Sequence, residues 1–351
     1  MSESNSLAVA TTAPEEITPN AHDRAPETRR RRSSITKIVE AYALVGLLIV
    51  AVAFFSLWPE TSDTFLSTAN IQILVANQSV LGIIAMAALI PLIANEWDLS
   101  IGAIAGVASI FSAAAMSASQ GVVVGILFGL GAGLAVGAAN ALLVTRLGVN
   151  GVITTLGMAT VLDGVVNQKT GGLAINANIP QGVIDFGFKT VGGIPYVTLV
   201  MVGVALAVYY GLGHTPYGRY LYAIGSSASA ATLVGIRSRV LIGSAFVISG
   251  LLAASGGILQ VARQAGADPR VGAAFTLPAL AAAFLSAAAI KPGKYNVGGA
   301  IVAIFFLATI NNGLSLAGVP AYVSSYVNGC ALIGGVGLAA FLGRRAARSR
   351  G

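Results

Sequence analysis

The sequence predicts an all-α fold, a polytopic membrane bundle of about ten transmembrane helices, and three observations carry that reading. Of 351 residues, 56% are hydrophobic and only 9% charged, with a mean hydropathy of +0.82. A soluble domain carries about a quarter charged residues, so too few are present here to cover a water-facing surface. The apolar residues gather in runs of about 20, the length a helix needs to cross the hydrocarbon core. Lys and Arg concentrate between alternate runs and at the two ends, as cytoplasmic loops require.

Residues 1–36 are rich in Ser, Thr, Ala, Pro and Glu, then basic at Arg24 and Arg29 to Arg32. With almost no large apolar residues, this segment is expected to be a disordered cytoplasmic tail. It is too long for the n-region of a signal peptide, and the run Ala41 to Trp58 ends without a small-x-small cleavage site. The first span, near 39–58, is therefore read as uncleaved. Further spans fall near 71–94, 99–118, 121–145, 152–168, 195–211, 240–262, 273–290, 297–316 and 321–342. The fifth and eighth are short enough to be re-entrant or broken. Together they form a membrane domain over 37–343, followed by a basic tail over 344–351.

The charges orient this layout. With both termini cytoplasmic, sixteen of the twenty Lys and Arg fall inside, and only Lys169, Lys189, Arg263 and Arg270 fall outside. The first external loop holds Glu60 and Asp63 and no basic residue, as the rule expects. The net charge of +7 arises largely from clusters before residue 38 and in the last eight residues. Basic clusters beside apolar spans point to cytoplasmic retention and lipid headgroups rather than nucleic acid.

Glycine is patterned too. Gly121, Gly125, Gly129, Gly133 and Gly137 recur every fourth residue, giving one helix a smooth face for close helix packing, within the chain or against a second copy. A short echo joins Asn140-Ala141-Leu142 and Leu147-Gly148-Val149 to Asn312-Gly313-Leu314 and Ala317-Gly318-Val319. The two copies end on opposite sides of the predicted membrane, as in inverted repeats, although so short a match also arises by chance.

The residues offer little chemistry. Cys330 has no partner for a disulfide, and His22 and His214 are too few for most metal sites, so no metal is expected. The dipeptide Gly293-Lys294 continues into Tyr295 and lacks the upstream glycine of a phosphate loop. No cofactor is expected on this chain, and any ATP must be bound by another subunit. After Leu99 the acids are Asp163, Asp185 and Asp268, of which Asp163 alone lies inside a span where a proton relay would need it. Paired carboxylates for a membrane enzyme are lacking. The uncharged polar residues Asn77, Gln78, Thr154, Thr155, Asn311 and Asn312 sit within apolar spans. Each must find a hydrogen bond, either on a neighbouring helix or in a wet path for a polar solute.

The longest internal hydrophilic segment, 212–239, lies between the sixth and seventh spans. Its small-residue stretch from Ser226 to Val234 has helical character and is bracketed by Gly225 and Gly235. It is either a solvated loop or a short helix seated in a partner's groove.

Several motifs bear on that choice. The run Thr215-Pro216-Tyr217-Gly218-Arg219-Tyr220-Leu221-Tyr222-Ala223-Ile224-Gly225, with Ala230-Ala231-Thr232-Leu233-Val234-Gly235-Ile236, resembles the cytoplasmic loop of ribose-type sugar ABC importer permeases. Asp98-Leu99-Ser100-Ile101-Gly102, Val152-Ile153-Thr154-Thr155-Leu156-Gly157, Ser249-Gly250-Leu251-Leu252-Ala253-Ala254 and Asn311-Asn312-Gly313-Leu314 are similar to further segments of that family, in its order, from about residue 70 to 342.

The resemblance implies a type II ABC importer-like permease subunit in the inner membrane of a bacterium, working as a dimer. It would be fed by an extracytoplasmic solute-binding protein and driven by two cytoplasmic ATP-binding subunits. Segment 212–239 then couples to the ATPase through Gly218, Arg219, Gly225, Ser226, Ala230, Leu233, Gly235 and Ile236. Two departures, Asn95-Glu96-Trp97 and Lys291 to Asn296, stand where relatives have glycine-rich turns and leave the solute open. The competing expectation is a stand-alone secondary carrier or channel for a small polar solute.

Overall fold

The computed structural model describes residues 34–348. The basic run at Arg24 and Arg29 to Arg32, His22 and Arg350 lie outside the described residues. Each predicted span falls on one helix. These are α1 (Ser34–Leu57), α3 (Thr68–Ile93), α4 (Ile101–Ser117), α5 (Val122–Thr145), α6 (Gly151–Thr170), α8 (Tyr196–His214), α11 (Ser238–Gln264), α12 (Val271–Leu285), α13 (Val297–Leu316) and α14 (Tyr322–Arg348). Four shorter helices connect them: α2 (Ser62–Phe65), α7 (Gln181–Phe188), α9 (Pro216–Ser226) and α10 (Ala228–Leu233). A two-stranded hairpin, β1 (Thr190–Val191) with β2 (Ile194–Pro195), precedes α8.

By length and composition, six helices among the described residues can cross a bilayer: α3, α5, α8, α11, α13, and α12 with the 3₁₀ turn that extends it to Ala288. The stretches Ala41–Leu57 and Ile101–Ser117 are apolar but shorter. The fifth predicted span is an unbroken 20-residue helix, while the eighth holds Pro278 and tightens into that 3₁₀ turn. The chain is helical at both of its expected tail boundaries, since α1 begins at Ser34 and α14 runs to Arg348.

The core centres on α3, which is almost wholly buried from Val80 to Ile93 and packs against α8, α11, α12 and α13. Around it the outer helices turn large apolar residues outward, such as Leu47, Ile49 and Val50 on α1 and Leu199, Val202 and Leu206 on α8. In water that surface would be unfavourable; in lipid it is the matching solvent.

The glycine strip resolves as packing within the chain. On α5, Gly125, Gly129, Gly133 and Gly137 are buried against α4 and α11. A side chain at Gly133 would run into Ala254 and the Gly250 carbonyl, and one at Gly137 into the Phe246 carbonyl. Gly121 lies outside the strip and caps the helix at φ 94°. In the sequence echo, Gly148 and Gly318 both adopt positive φ, 71° and 74°, just past the ends of α5 and α13. Part of the echo is therefore the chemistry of helix termination.

The predicted inner and outer connections gather at opposite ends of the bundle. At one end the Tyr222 hydroxyl donates to the Tyr295 carbonyl (2.6 Å), the Ile290 amide to Ala41 (2.7 Å), and Gly225 packs on the Ile93 carbonyl. At the other, Asn70 pairs with Asn312, Gln72 donates to the Gly193 carbonyl (3.1 Å), and Ile175 and Ala267 exchange backbone hydrogen bonds.

Candidate functional site

At the end that carries the predicted external loops, α3, α11, α12, α13 and α14 enclose a cavity of about 420 Å³. Its apolar wall is Leu81, Phe275, Pro278 and Leu307 with smaller neighbours. Its polar lining is Asn77 and Gln78 from α3, Gln260, Arg263 and Gln264 from α11, Asn311 from α13 and Asn328 from α14. The α11 trio follows the i, i+3, i+4 spacing that puts three residues on one helix face. None of the lining residues is a carboxylate.

Arg263 organises the site. Its guanidinium donates to Asn77 Oδ1 and to the Gly187 carbonyl, both at 2.9 Å, and lies over the Phe188 ring, 5.1 Å from the centroid. Asn311 donates to Asn328 Oδ1 (3.2 Å), while Asn311 Oδ1 and Arg263 Nε are buried with no hydrogen-bond partner. Two unsatisfied polar atoms beside one cavity mark a place where something else can bind, because leaving them unpaired is unfavourable.

Three of the six residues expected along a solute path, Asn77, Gln78 and Asn311, meet at this cavity. The other three lie elsewhere. Asn312 exchanges two amide hydrogen bonds with Asn70, at 2.9 and 3.0 Å. Thr155 donates to the Gly151 carbonyl (2.8 Å) and accepts from the Leu99 amide (3.0 Å), anchoring the turn before α4. Thr154 is buried and its hydroxyl is unpartnered. Asp163, the sequence's candidate for a proton relay, is exposed on α6 and lines a separate groove of about 400 Å³.

Sequence reasoning passed over Arg263, Gln260, Gln264 and Asn328. Apolar run length places Arg263 in the connection after α11, because it follows the last apolar stretch, whereas the helix continues to Gln264. Its signal was the spacing of Gln260, Arg263 and Gln264 at the tail of an otherwise apolar helix.

At the opposite end, segment 212–239 forms two helices where one was expected. Gly225 lies inside α9 rather than at a break, because it is the point where α9 rests on the Ile93 carbonyl and no side chain fits. Gly218, earlier in the helix, is likewise pressed on the Leu212 carbonyl, and Arg219 beside it is exposed. Ser226 ends α9, and Ser227 caps α10 by accepting from the Ala230 amide (3.3 Å). Gly235 then turns the chain at φ 84°, and the Ile236 amide closes the turn on the Ala231 carbonyl (3.0 Å). The tip between them carries Leu233, 88% exposed, and Val234, 77% exposed. Behind it Tyr222 is wedged against the bundle, where its hydroxyl donates to the Tyr295 carbonyl and burial pushes its phenol up to about 12. Burial also raises the Glu96 carboxyl, which shares a recess with Arg146 and Arg239.

Comparison with known proteins places these features in context. A family model described as the branched-chain amino acid transport system permease component matches residues 70–336. The ribose import permease protein RbsC of Escherichia coli strain K12 is 29% identical over 307 residues, covering 87% of this chain and 94% of its own. The L-arabinose ABC transporter permease protein AraH of Azospirillum brasilense is 26% identical, over 89% and 91% of the two chains. The autoinducer 2 import system permease protein LsrC of Photorhabdus laumondii is 28% identical, over 85% and 89%. No solved structure matches the chain.

Proposed function

Since the chain belongs to the family of branched-chain amino acid transport system permease components, we propose that it is the transmembrane permease subunit of an ABC importer for a sugar or related small polar solute. It is a transport component of a bacterial membrane. Its solute arrives from an extracytoplasmic binding protein and passes through a path that includes the cavity beside Arg263. A polyhydroxylated solute suits that lining, because amides and a guanidinium satisfy hydroxyls from both sides without a carboxylate. Two copies of the chain form the working unit within the lipid, with both termini cytoplasmic. The chain itself holds no nucleotide or other cofactor, and separate cytoplasmic ATP-binding subunits hydrolyse ATP.

The observation that carries this reading is the tip of α10. Leu233 and Val234 project from the end assigned to the cytoplasm, at the end of α10, which follows directly on α9, itself seated on α3 through Gly225. Large apolar side chains held rigidly in water favour a partner that covers them. An ATPase groove fits that need, and its motion would pass through α9 directly into the core helix α3.

Replacing Leu233 with Asp tests the assignment. The variant is expected to insert normally, to lose co-purification with the ATPase, and to lose ATP-driven uptake at least about tenfold, because a buried apolar anchor becomes an unpaired charge. Uptake into liposomes by the chain alone, without any ATPase, would instead establish the stand-alone carrier.

A further inference from the structure

Arg263 does two things at once. One guanidinium nitrogen holds Asn77 in the cavity wall, and the other holds the carbonyl of Gly187 at the end of α7. Helix α7 and the hairpin after it form a cap on the outer end of the bundle. Two further contacts seat that cap on the end of α11: Gly187 presses against the Ala262 carbonyl, where no side chain fits, and Phe188 lies under the guanidinium. Next to it, Ile175, in the segment before α7, pairs with Ala267, just beyond α11, through both backbone bonds, at 2.8 and 3.0 Å. Among the described residues, the carboxylates nearest in sequence are already engaged. Asp268 binds Arg270, and Asp185 accepts from Gln181. Among the described residues no carboxylate pairs with Arg263: its guanidinium meets two neutral oxygens and a ring, and its Nε has no partner.

A cation held in this way exchanges one oxygen for another at little net change in free energy, since each partner supplies a comparable charge-assisted hydrogen bond. We propose that Arg263 is the specificity-determining residue of the cavity and the latch between cavity and cap. A solute oxygen that reaches the guanidinium displaces Asn77 or Gly187, and loss of the Gly187 bond frees α7. The uncompensated charge admits neutral and anionic hydroxylated solutes and rejects cationic ones. This inference rests on the cavity being part of the solute path of an importer permease. It goes further by naming the residue that reads the solute and the element that responds.

The test uses the full-length chain in lipid nanodiscs and needs neither ATPase nor binding protein. Amide hydrogen exchange across residues 182–188 is compared in wild type, Arg263→Gln and Asn77→Asp. Arg263→Gln is expected to speed exchange about tenfold by removing the latch. Asn77→Asp turns the neutral contact into an ion pair, tightens the same latch and is expected to slow exchange, an outcome that misfolding does not produce. Unchanged exchange in Arg263→Gln, or faster exchange in Asn77→Asp, overturns the latch.

Saturation-transfer NMR with D-ribose, D-ribonate and 1-amino-1-deoxyribitol reads the charge rule on the same samples. The first two are expected to give signals that the amine does not, and Arg263→Gln is expected to erase the difference. Equal signals from all three in wild type, or signal from none, overturn the specificity role. Failure of the wild-type importer to take up solute with ATP would overturn the proposed function while leaving the exchange result standing.

Discussion

At the scale of single residues, a buried polar knot at the start of α4 ties α4 to α5 and α11. Asp98, 1% exposed, accepts from the Ser100 amide (3.0 Å), the Ser100 hydroxyl (2.6 Å) and the Ser249 hydroxyl of α11 (2.9 Å). Asn140 of α5 extends the network by donating to Ser100 (2.9 Å). A buried carboxylate deprived of one donor loses more than an average hydrogen bond is worth. Ser249→Ala is therefore expected to destabilise the chain by about 1–3 kcal/mol, read as a lower unfolding midpoint in detergent. The same scale shows why the sequence could not tell which polar residues share one cavity. Asn311 and Asn312 are adjacent, yet one lines the cavity and the other pairs with Asn70. Successive residues on a helix point about 100° apart, and a helix apolar all round its circumference carries no pattern that tells which direction faces inward.

Whole helices were legible for the opposite reason. Hydrocarbon demands about 20 apolar residues wherever the chain crosses it, so run length alone placed a helix at each of the ten predicted positions, six of them long and apolar enough to cross a bilayer among the described residues. The four-residue glycine period was equally clear, and the structure turns its face toward α4 and α11 rather than outward. Gly133→Leu is expected to force α5 off α11, costing about 1–3 kcal/mol or more because backbone cannot yield as a side chain can. Gly131, two residues away, meets nothing within 4 Å, so Gly131→Leu is the matched control and should leave the unfolding midpoint in place. What run length could not reveal was the cap. Helix α7 is only eight residues long and the hairpin has two residues per strand, too short for any periodicity to announce them.

Across the whole molecule, the two candidate sites sit at opposite ends of one buried helix. Asn77 and Gln78 of α3 line the cavity beside Arg263, and the Ile93 carbonyl at the far end of α3 supports Gly225. One continuous helix, with Pro91 near its end, joins the two, and a bulky residue at Gly225 would break the joint at Ile93. Gly225→Leu is expected to leave ATP hydrolysis by the assembled complex running while uptake falls by at least about tenfold, since α9 can no longer seat on α3. Uptake and hydrolysis that fall together would argue against that joint. The exposed pair Leu233 and Val234 has a consequence for the life of the protein before any transport begins. If the proposed companion docks here, a copy that has left the insertion machinery without meeting it would show a greasy knob to the cytosol, the kind of feature that chaperones grip and proteases follow. On that reading an orphan copy would be marked for removal by the same two side chains that a matched copy hides.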